Sequence, residues 1–364
     1  MNSQMHPLEN TALFVVPLIA LLASLVFVPM VRKFALKLDF VDHPGGRKQH
    51  EESIPYGGGI AIFIVFSILS LFIPFPFENS WAYFLALALI LIVGIIDDRS
   101  GVNAKLKFFI HFLSAFILVV PGGTQLTTLG QLLTFENMDL GWFAIPFSVM
   151  CVVYIINAIN MMDGLDGLAG GKSLIIFLWL AAGAMFAGYW NIFLSLALLS
   201  SCLIGFLFYN MRHPKRCRAC IFLGDAGSMA LGLTIAWYAI HLSQTPTAVF
   251  APVTIAWIIA LPIVDAFGLL VARLREGKHP FEPDRRHFHH HFLEAGFTPG
   301  KATLLILLIG ACFGAIGYFG VELGIPQPIL GWLWIALWLG HALLVIKARH
   351  FISLLKIIRG LWIK

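Results

Sequence analysis

The sequence predicts an all-α integral membrane protein that crosses the bilayer about eleven times. Of its 364 residues, 59% are hydrophobic and only 12% are charged, and the mean hydropathy is +0.87. These three values lie far outside the range of soluble globular domains. We therefore expect residues 1–364 to form a single membrane-embedded domain.

Eleven apolar stretches are candidate spans, because a helix needs about 20 apolar residues to cross the hydrocarbon core. The first stretch is longer than the core of a signal peptide and follows no basic segment, so we expect it to be retained. The eleven stretches lie near residues 11–31, 57–73, 81–96, 106–121, 142–159, 172–188, 191–209, 227–242, 248–271, 302–320 and 328–346.

Lysine and arginine mark one side of the predicted bundle. If eleven spans alternate in direction, all 24 Lys and Arg residues, Lys172 included, fall in loops or span ends on one side. By the positive-inside rule that side is cytoplasmic, with the N-terminus outside and the C-terminus inside. Most of these residues are expected to serve topology alone, and the others to bind anionic lipid headgroups or a phosphorylated substrate. Binding to nucleic acid is not expected.

Two basic segments stand out on the predicted cytoplasmic side. Residues 272–301 form a loop rich in histidine and arginine, and residues 347–364 form a basic amphipathic tail. Such a tail is expected to lie along the inner leaflet and to anchor the chain there.

The third predicted span ends in the acidic pair Asp97 and Asp98. Ionisable groups at a membrane boundary are costly, and so they indicate a functional site. Adjacent residues on a helix point in different directions, so we expect one carboxylate to face a substrate and the other to hold structure. The alternative is a solvated acidic pair bridged to Arg99. Lys105 and Lys107 follow within reach.

The fifth predicted span runs into four polar residues at three-residue spacing. If the segment is helical, Asn157, Asn160, Asp163 and Asp166 form one polar ridge. Amides and carboxylates without thiolates suit a hard cation such as Mg²⁺ or Mn²⁺, or the polar groups of a nucleotide. The alternative is a polar seam between helices.

Three further segments carry ionisable groups. Asp225 opens the eighth span, where it could cap the helix or ligate a metal that holds a phosphate. The four histidines among residues 287–291 cannot all ligate one tetrahedral ion, so we expect them to donate to phosphate oxygens rather than to bind zinc. Asp265 lies inside a span, where a buried partner is the favoured interpretation over catalysis.

Five motifs, taken in order, resemble the polyprenyl-phosphate N-acetylhexosamine-1-phosphate transferases, which are glycosyltransferase family 4. They cover nearly the whole chain, at residues 55–59, 97–98, 157–171, 222–228 and 284–290. Residues 280–297 are similar to the bacterial branch that uses N-acetylglucosamine. The resemblance implies transfer of GlcNAc 1-phosphate from UDP-GlcNAc to undecaprenyl phosphate, with release of UMP. It also implies a bacterial inner-membrane enzyme, facing the cytoplasm, that initiates lipopolysaccharide or other cell-surface polysaccharide synthesis.

The resemblance also implies residue roles. Asp97, Asp98 and Asp225 are the expected catalytic residues. Asp225, assisted by Asp98, would bind Mg²⁺ or Mn²⁺, and Asp97 would handle the attacking phosphate. Phe222 would stack on uracil. The other expected substrate-binding residues are Lys105, Asn160, Asp163, Asp166, Asn210, Arg285, His287, His289 and His290.

The motifs leave the donor sugar and a transport function open as alternatives. The peptidoglycan branch of the family carries His-His-His-Phe-Glu, and this chain has His289–Phe292 followed by Leu293. UDP-MurNAc-pentapeptide or another UDP-N-acetylhexosamine is therefore an alternative donor. A lipid-sugar transporter would also have about eleven spans, but its ionisable residues would lie near the midplane, often in paired repeats. A homodimer is a further expectation.

Overall fold

The computed structural model describes residues 7–42, 53–213, 215–277 and 286–362, and these segments form a helical bundle with one short β-hairpin. The strands are β1 (Val41–Asp42) and β2 (Ile54–Pro55). The helices are α1 (Pro7–Lys37), α2 (Gly58–Ser70), α3 (Ser80–Ser100), α4 (Ala104–Val119), α5 (Ala144–Met161), α6 (Leu168–Phe186), α7 (Trp190–Asn210), α8 (Gly224–Ser243), α9 (Pro252–Ile258), α10 (Ala260–Arg275), α11 (Phe288–Glu294), α12 (Pro299–Glu322), α13 (Gln327–Ile346) and α14 (Ala348–Trp362).

The helices confirm a polytopic membrane protein. Within the described segments, seven are long and apolar enough to cross a bilayer, or eight if α9 and α10 count as one bent span. Large apolar side chains such as Phe14 and Phe186 are more than 70% exposed, as expected for a surface covered by lipid. Each of the eleven predicted stretches contains a helix, but α2 has 13 residues and α4 has 16. The number of eleven spans therefore stays a prediction.

The stretch predicted as a single ninth span is bent by 73° between α9 and α10. Pro262 has no N–H to donate to the carbonyl of Ile258, four residues earlier, and its ring clashes with a straight helix there. The ammonium of Lys172 donates to that carbonyl instead, at 3.2 Å, and to the carbonyl of Gly310 at 3.2 Å. Lys172 lies in the second turn of α6, near the span end at which the sequence placed it. It is fully buried on α6.

α8 is the central helix, and α2 lies directly against its first turns. A Cβ added at Gly59 would sit 2.1 Å from the Cα of Gly227, so the two backbones are in contact. The amides of Gly58 and Gly59 donate to the carbonyls of Phe222 and Leu223, both at 2.9 Å. The glycine run at residues 57–59 thus serves helix packing beside the first turn of α8.

Replacing Gly59 by alanine is expected to lower the apparent melting temperature in detergent, at a cost of roughly 3 kcal/mol or more. Overpacking usually costs about 1–3 kcal/mol, and here the clash is with backbone that cannot rotate away. Gly340→Ala is the matched control, because a Cβ there meets nothing within 4 Å. An equal effect of both substitutions on the melting temperature would contradict the close approach.

The β-hairpin brings a second segment to the start of α8. β1 and β2 pair antiparallel, with Asp42 opposite Ile54. The carbonyl of Pro55 accepts a hydrogen bond from the amide of Phe222 at 2.9 Å. The side chains of Asp42 and Tyr56 therefore lie beside the residues that lead into α8.

Candidate active site

A cavity of about 970 Å³ opens where the ends of α3 and α8 meet the segment between α5 and α6. Its volume is at the upper end of that of pockets for small ligands. The residues predicted for the site that line it are Asp97, Asp98, Asp163, Asp166, Asn210, Phe222 and Asp225. The structure therefore brings together residues from three separate motifs, and Asn210 from outside them.

Lys107 bridges two of the carboxylates. Its ammonium lies 2.6 Å from Oδ2 of Asp97 and 2.7 Å from Oδ2 of Asp225. Asp97 also accepts a hydrogen bond from the amide of Val102 at 2.7 Å. Asp225 accepts one from the amide side chain of Asn160 at 2.8 Å. These contacts fix two carboxylates, from α3 and α8, around one cation.

Asp98 has a different task from Asp97, as their adjacent positions predicted. Its carboxylate accepts hydrogen bonds from the backbone amides of Asp225, at 2.7 Å, and Ala226, at 3.3 Å. These are amides of the first turn of α8, which have no partner inside the helix. Gly224 precedes them with a φ of +78°, and a Cβ there would meet Asp98 at 2.5 Å. Asp98 therefore holds the start of α8 in place.

The predicted polar ridge is not a helical ridge, because α5 ends at Met161. Asn160 is the last of its residues inside the helix, and it also donates to the hydroxyl of Ser228 at 2.9 Å. Asp163 and Asp166 follow in the connection to α6, where they point to different neighbours. Asp163 and Asp166 line the cavity and Asn160 contacts Asp225, but the helix predicted for them is wrong.

Asp163 is half-buried in the cavity wall, outside the helices. Burial first, and then the neighbouring carboxylates of Asp225, Asp98 and Asp166, raise the pKa of Asp163 well above its ordinary value. This carboxyl group therefore keeps a proton more readily than a solvated aspartic acid. A protonated Asp163 can donate a hydrogen bond to an anionic ligand.

Asp166 and Asn210 hold the chain around the cavity. The carboxylate of Asp166 accepts hydrogen bonds from Nε of Arg212, at 2.7 Å, and from the amide of Ala219, at 3.1 Å. Asn210 is 4% exposed, accepts from the amide of Gly167 at 2.7 Å and donates to the carbonyl of Ile221 at 2.9 Å. Both residues line the cavity, and their side chains form hydrogen bonds to the segments that surround it. Substrate binding by either one stays a prediction.

The aromatic residue predicted to stack on uracil lies at the cavity wall. Phe222 is partly exposed there, and its ring centroid is 6.2 Å from that of Tyr56 at an angle of 51°. Asp42 lines the same wall from the hairpin. Sequence reasoning did not select Asp42, since the two-residue strand that carries it gives no periodic signal.

Three of the four histidines lie on α11, and His287 directly precedes it. α11 packs against the connection between α5 and α6. Nε2 of His289 would be 2.2 Å from a Cβ at Gly164, next to Asp163. Burial lowers the pKa of His289 to about 3, with smaller effects from His290 and His287. His289 is therefore a neutral hydrogen-bonding group rather than a cation at neutral pH. Arg285 lies outside the described residues.

Asp265 has the buried partners that its position inside a span suggested. Its carboxylate lies 3.2 Å from Nδ1 of His287 and accepts a hydrogen bond from the amide of Phe288 at 2.9 Å. Nε2 of His341, on α13, is 3.5 Å away. Asp265 thus fixes the start of α11 and with it the approach of the histidines to the cavity.

Lys107 is the main residue that sequence reasoning did not select. Lys105, which was selected, is exposed, and its backbone amide donates to the side chain of Asn103 at the start of α4. That cap could have served as the signal, because it fixes the first turn of α4 and so distinguishes the directions of Lys105 and Lys107.

The residues around Lys107 fit a hard divalent cation in donor chemistry. The carboxylates of Asp97, Asp98 and Asp225 and the carboxyl group of Asp163 line this part of the cavity, against the single ammonium bonded to two of them. Oxygen-only donors and excess negative charge favour Mg²⁺ or Mn²⁺. Within the described ranges, no group of three His, Cys, Asp or Glu residues is already arranged around a metal position.

Acid pH is expected to destabilise the protein partly through His289. This side chain is 3% exposed, with a pKa of about 3 in the folded state against 6.5 in the unfolded chain. Stability is complete above pH 6.5 and falls as the unfolded chain takes up the proton, by about 2 kcal/mol between pH 7 and pH 5. His289→Gln should flatten the pH dependence of the apparent melting temperature. An unchanged slope would contradict a buried neutral imidazole.

Comparisons with known proteins identify the family. Residues 80–243 match the family described as Glycosyl transferase family 4. The undecaprenyl-phosphate alpha-N-acetylglucosaminyl 1-phosphate transferase of Yersinia pestis is 34% identical over 87% of this chain and 86% of its own length. The protein of the same name from Escherichia coli (strain K12) is 33% identical over 81% and 80%.

A third relative comes from Bacillus subtilis (strain 168), where it is named a probable undecaprenyl-phosphate N-acetylglucosaminyl 1-phosphate transferase. It is 35% identical over 81% of this chain and 81% of its own length. Since these similarities extend over most of each protein, the chain belongs to glycosyl transferase family 4, in the group of polyprenyl-phosphate N-acetylhexosamine-1-phosphate transferases.

Proposed function

We propose that the protein transfers GlcNAc 1-phosphate from UDP-GlcNAc to undecaprenyl phosphate and releases UMP. The observation that carries the proposal is the bridge from Asp97 through Lys107 to Asp225 in a cavity large enough for a nucleotide sugar. The names of the relatives supply the donor sugar and the lipid acceptor. The product would initiate a cell-surface polysaccharide.

The reaction forms one P–O–P bond and breaks another. An oxygen of the lipid phosphate attacks the sugar-linked phosphorus of UDP-GlcNAc, and the bond to the UMP oxygen breaks. A phosphate monoester has its second pKa near 6, so at neutral pH it is mostly dianionic and needs no strong base. Asp97 is engaged with Lys107 and Val102. Its role is therefore to position charge rather than to remove a proton.

The site must bring two anions together, the lipid phosphate and the diphosphate of UDP-GlcNAc. Different residues of the site contribute to this in different ways. Lys107 neutralises two carboxylates that would otherwise repel incoming phosphates. Asp98 orients the first turn of α8, whose positive dipole end faces the cavity. Phe222 offers a ring for uracil, and Asp163 offers a proton donor. A divalent ion bound at Asp225, with Asp98 in support, would supply further neutralisation of phosphate charge.

Turnover by the purified protein tests the reaction. Incubation with UDP-GlcNAc should release UMP only when undecaprenyl phosphate is present, and EDTA should stop it until Mg²⁺ or Mn²⁺ is restored. UMP release from another UDP-N-acetylhexosamine, but not from UDP-GlcNAc, would identify that nucleotide sugar as the donor instead. A folded preparation that releases no UMP from any of these donors would refute the transferase.

We also propose the finer topology of eleven spans, with the N-terminus outside and the site facing the cytoplasm. The support is the one-sided distribution of all 24 Lys and Arg residues. In bacterial cells, a reporter active only outside the inner membrane should be inactive when fused after residue 364. Activity of that fusion would reverse the orientation.

A further inference from the structure

α14 is an amphipathic helix with three distinct faces. Phe351 and Leu355 are buried, at 7% and 4% exposure. Leu354, Ile357 and Ile358 form a neighbouring apolar stripe that is 39–62% exposed. The basic residues Arg349 and Lys356 are exposed on the remaining face, and no acidic residue occurs between positions 348 and 362. An exposed apolar stripe beside a face that carries basic and no acidic residues is complementary to an anionic lipid surface.

The buried face of α14 packs on the histidine helix α11. The ring of Phe351 stacks on that of Phe288, with centroids 5.7 Å apart at an angle of 20°, and lies 5.5 Å from the ring of His291. The guanidinium of Arg359 donates to the carbonyl of Ala295 at 3.3 Å. Both ends of α11 are therefore held by α14.

α11 in turn is part of the wall of the proposed site. Phe288, which stacks on α14, is bonded through its amide to Asp265, and His289 follows it against Gly164. Leu293 of the same helix lines the cavity. A change in the position of α14 thus reaches the cavity through a single seven-residue helix.

We propose that α14 binds anionic phospholipids of the leaflet on which the cavity opens, and that this binding sets the activity by holding α11 in position. This proposal rests on the proposed transferase function. The exposed apolar stripe enters the leaflet and Arg349 and Lys356 lie among the headgroups. Phosphatidylglycerol is the probe, because it carries a negative charge that phosphatidylcholine lacks.

The test compares vesicles of phosphatidylcholine with vesicles containing about one third phosphatidylglycerol, at saturating UDP-GlcNAc and undecaprenyl phosphate. The wild type should release UMP at least about threefold faster with phosphatidylglycerol. The variant Arg349→Gln/Lys356→Gln should lose this advantage. The matched control Lys33→Gln/Lys37→Gln removes two exposed charges from the end of α1 and should keep it.

Binding is read independently of turnover. A polarity-sensitive fluorophore on Ile357→Cys, with Cys217 and Cys312 changed to serine, should shift to the blue in phosphatidylglycerol vesicles, and the shift should require Arg349 and Lys356. Equal rates in both membranes, or loss of the advantage in the control, would overturn the proposal. Absence of UMP release in every membrane would count against the transferase itself, and absence of the fluorescence shift would then overturn lipid binding by α14.

Discussion

Asp225→Asn is expected to lower the rate of UMP release by at least about a thousandfold. Asp225 is the residue that joins the start of α8 to Lys107 and Asn160, with one contact to each carboxylate oxygen. Asparagine has the same size as aspartate but no negative charge. The variant therefore loses the charge that holds the ammonium of Lys107 and that would bind a divalent ion. Removing one preorganised electrostatic contact from an active site costs about 10²–10³ in rate, and here two such contacts are lost together.

The control for this substitution is Asp39→Asn, an exposed aspartate at the end of α1 outside the cavity lining. Asp39 has a φ of 53°, which asparagine also adopts readily. The rate of Asp39→Asn should stay within about twofold of wild type. If Asp225→Asn keeps more than a tenth of the wild-type rate, Asp225 is not the centre of the site.

Lys107→Met is expected to lower the same rate by about a hundredfold. Methionine fills a similar volume without a charge, so the carboxylates of Asp97 and Asp225 lose the cation between them. Their mutual repulsion, and their repulsion of the incoming phosphates, then increase. The measurement is the UMP release rate at saturating substrates, with the apparent melting temperature as a check on folding.

Lys105→Met tests which of two lysines serves the site, the one implied by the resemblance or the one found between the carboxylates. The resemblance implies that Lys105 neutralises phosphate, whereas the structure places Lys107 between the carboxylates. We expect Lys107→Met to be the more damaging of the two by at least about tenfold. A larger loss in Lys105→Met would contradict the assignment of Lys107.

The sequence was sufficient for the membrane class and for seven of the residues that line the cavity. Aspartates at the ends of apolar spans are costly unless they have partners, and that cost alone selects Asp97, Asp98 and Asp225. The sequence does not show that Asp97 and Asp225 pair with Lys107, because this pairing depends on how α4 and α8 lie against α3. Lys107 was missed for this reason, since a cap at Asn103 shows that Lys105 and Lys107 point in different directions but not which of them faces a carboxylate.

The errors in secondary structure have local physical causes. Pro262 could have indicated the break between α9 and α10, because proline leaves the carbonyl four residues before it without a helical partner. The sequence could not show that Lys172, from a separate helix, supplies that partner. The polar ridge failed for a similar reason, because a three-residue spacing fits a helix until the glycine-rich segment after Met161 ends it.

The fate of the sugar-linked phosphorus distinguishes transfer of GlcNAc 1-phosphate from transfer of the sugar alone. UDP-GlcNAc labelled with ³²P at that phosphorus is incubated with the protein and undecaprenyl phosphate, and the lipid is extracted. We expect the label to enter the lipid while unlabelled UMP appears in equal amount. Label that stays in a released nucleotide while the sugar enters the lipid would show transfer of the sugar alone, and would contradict the proposed reaction at Asp225.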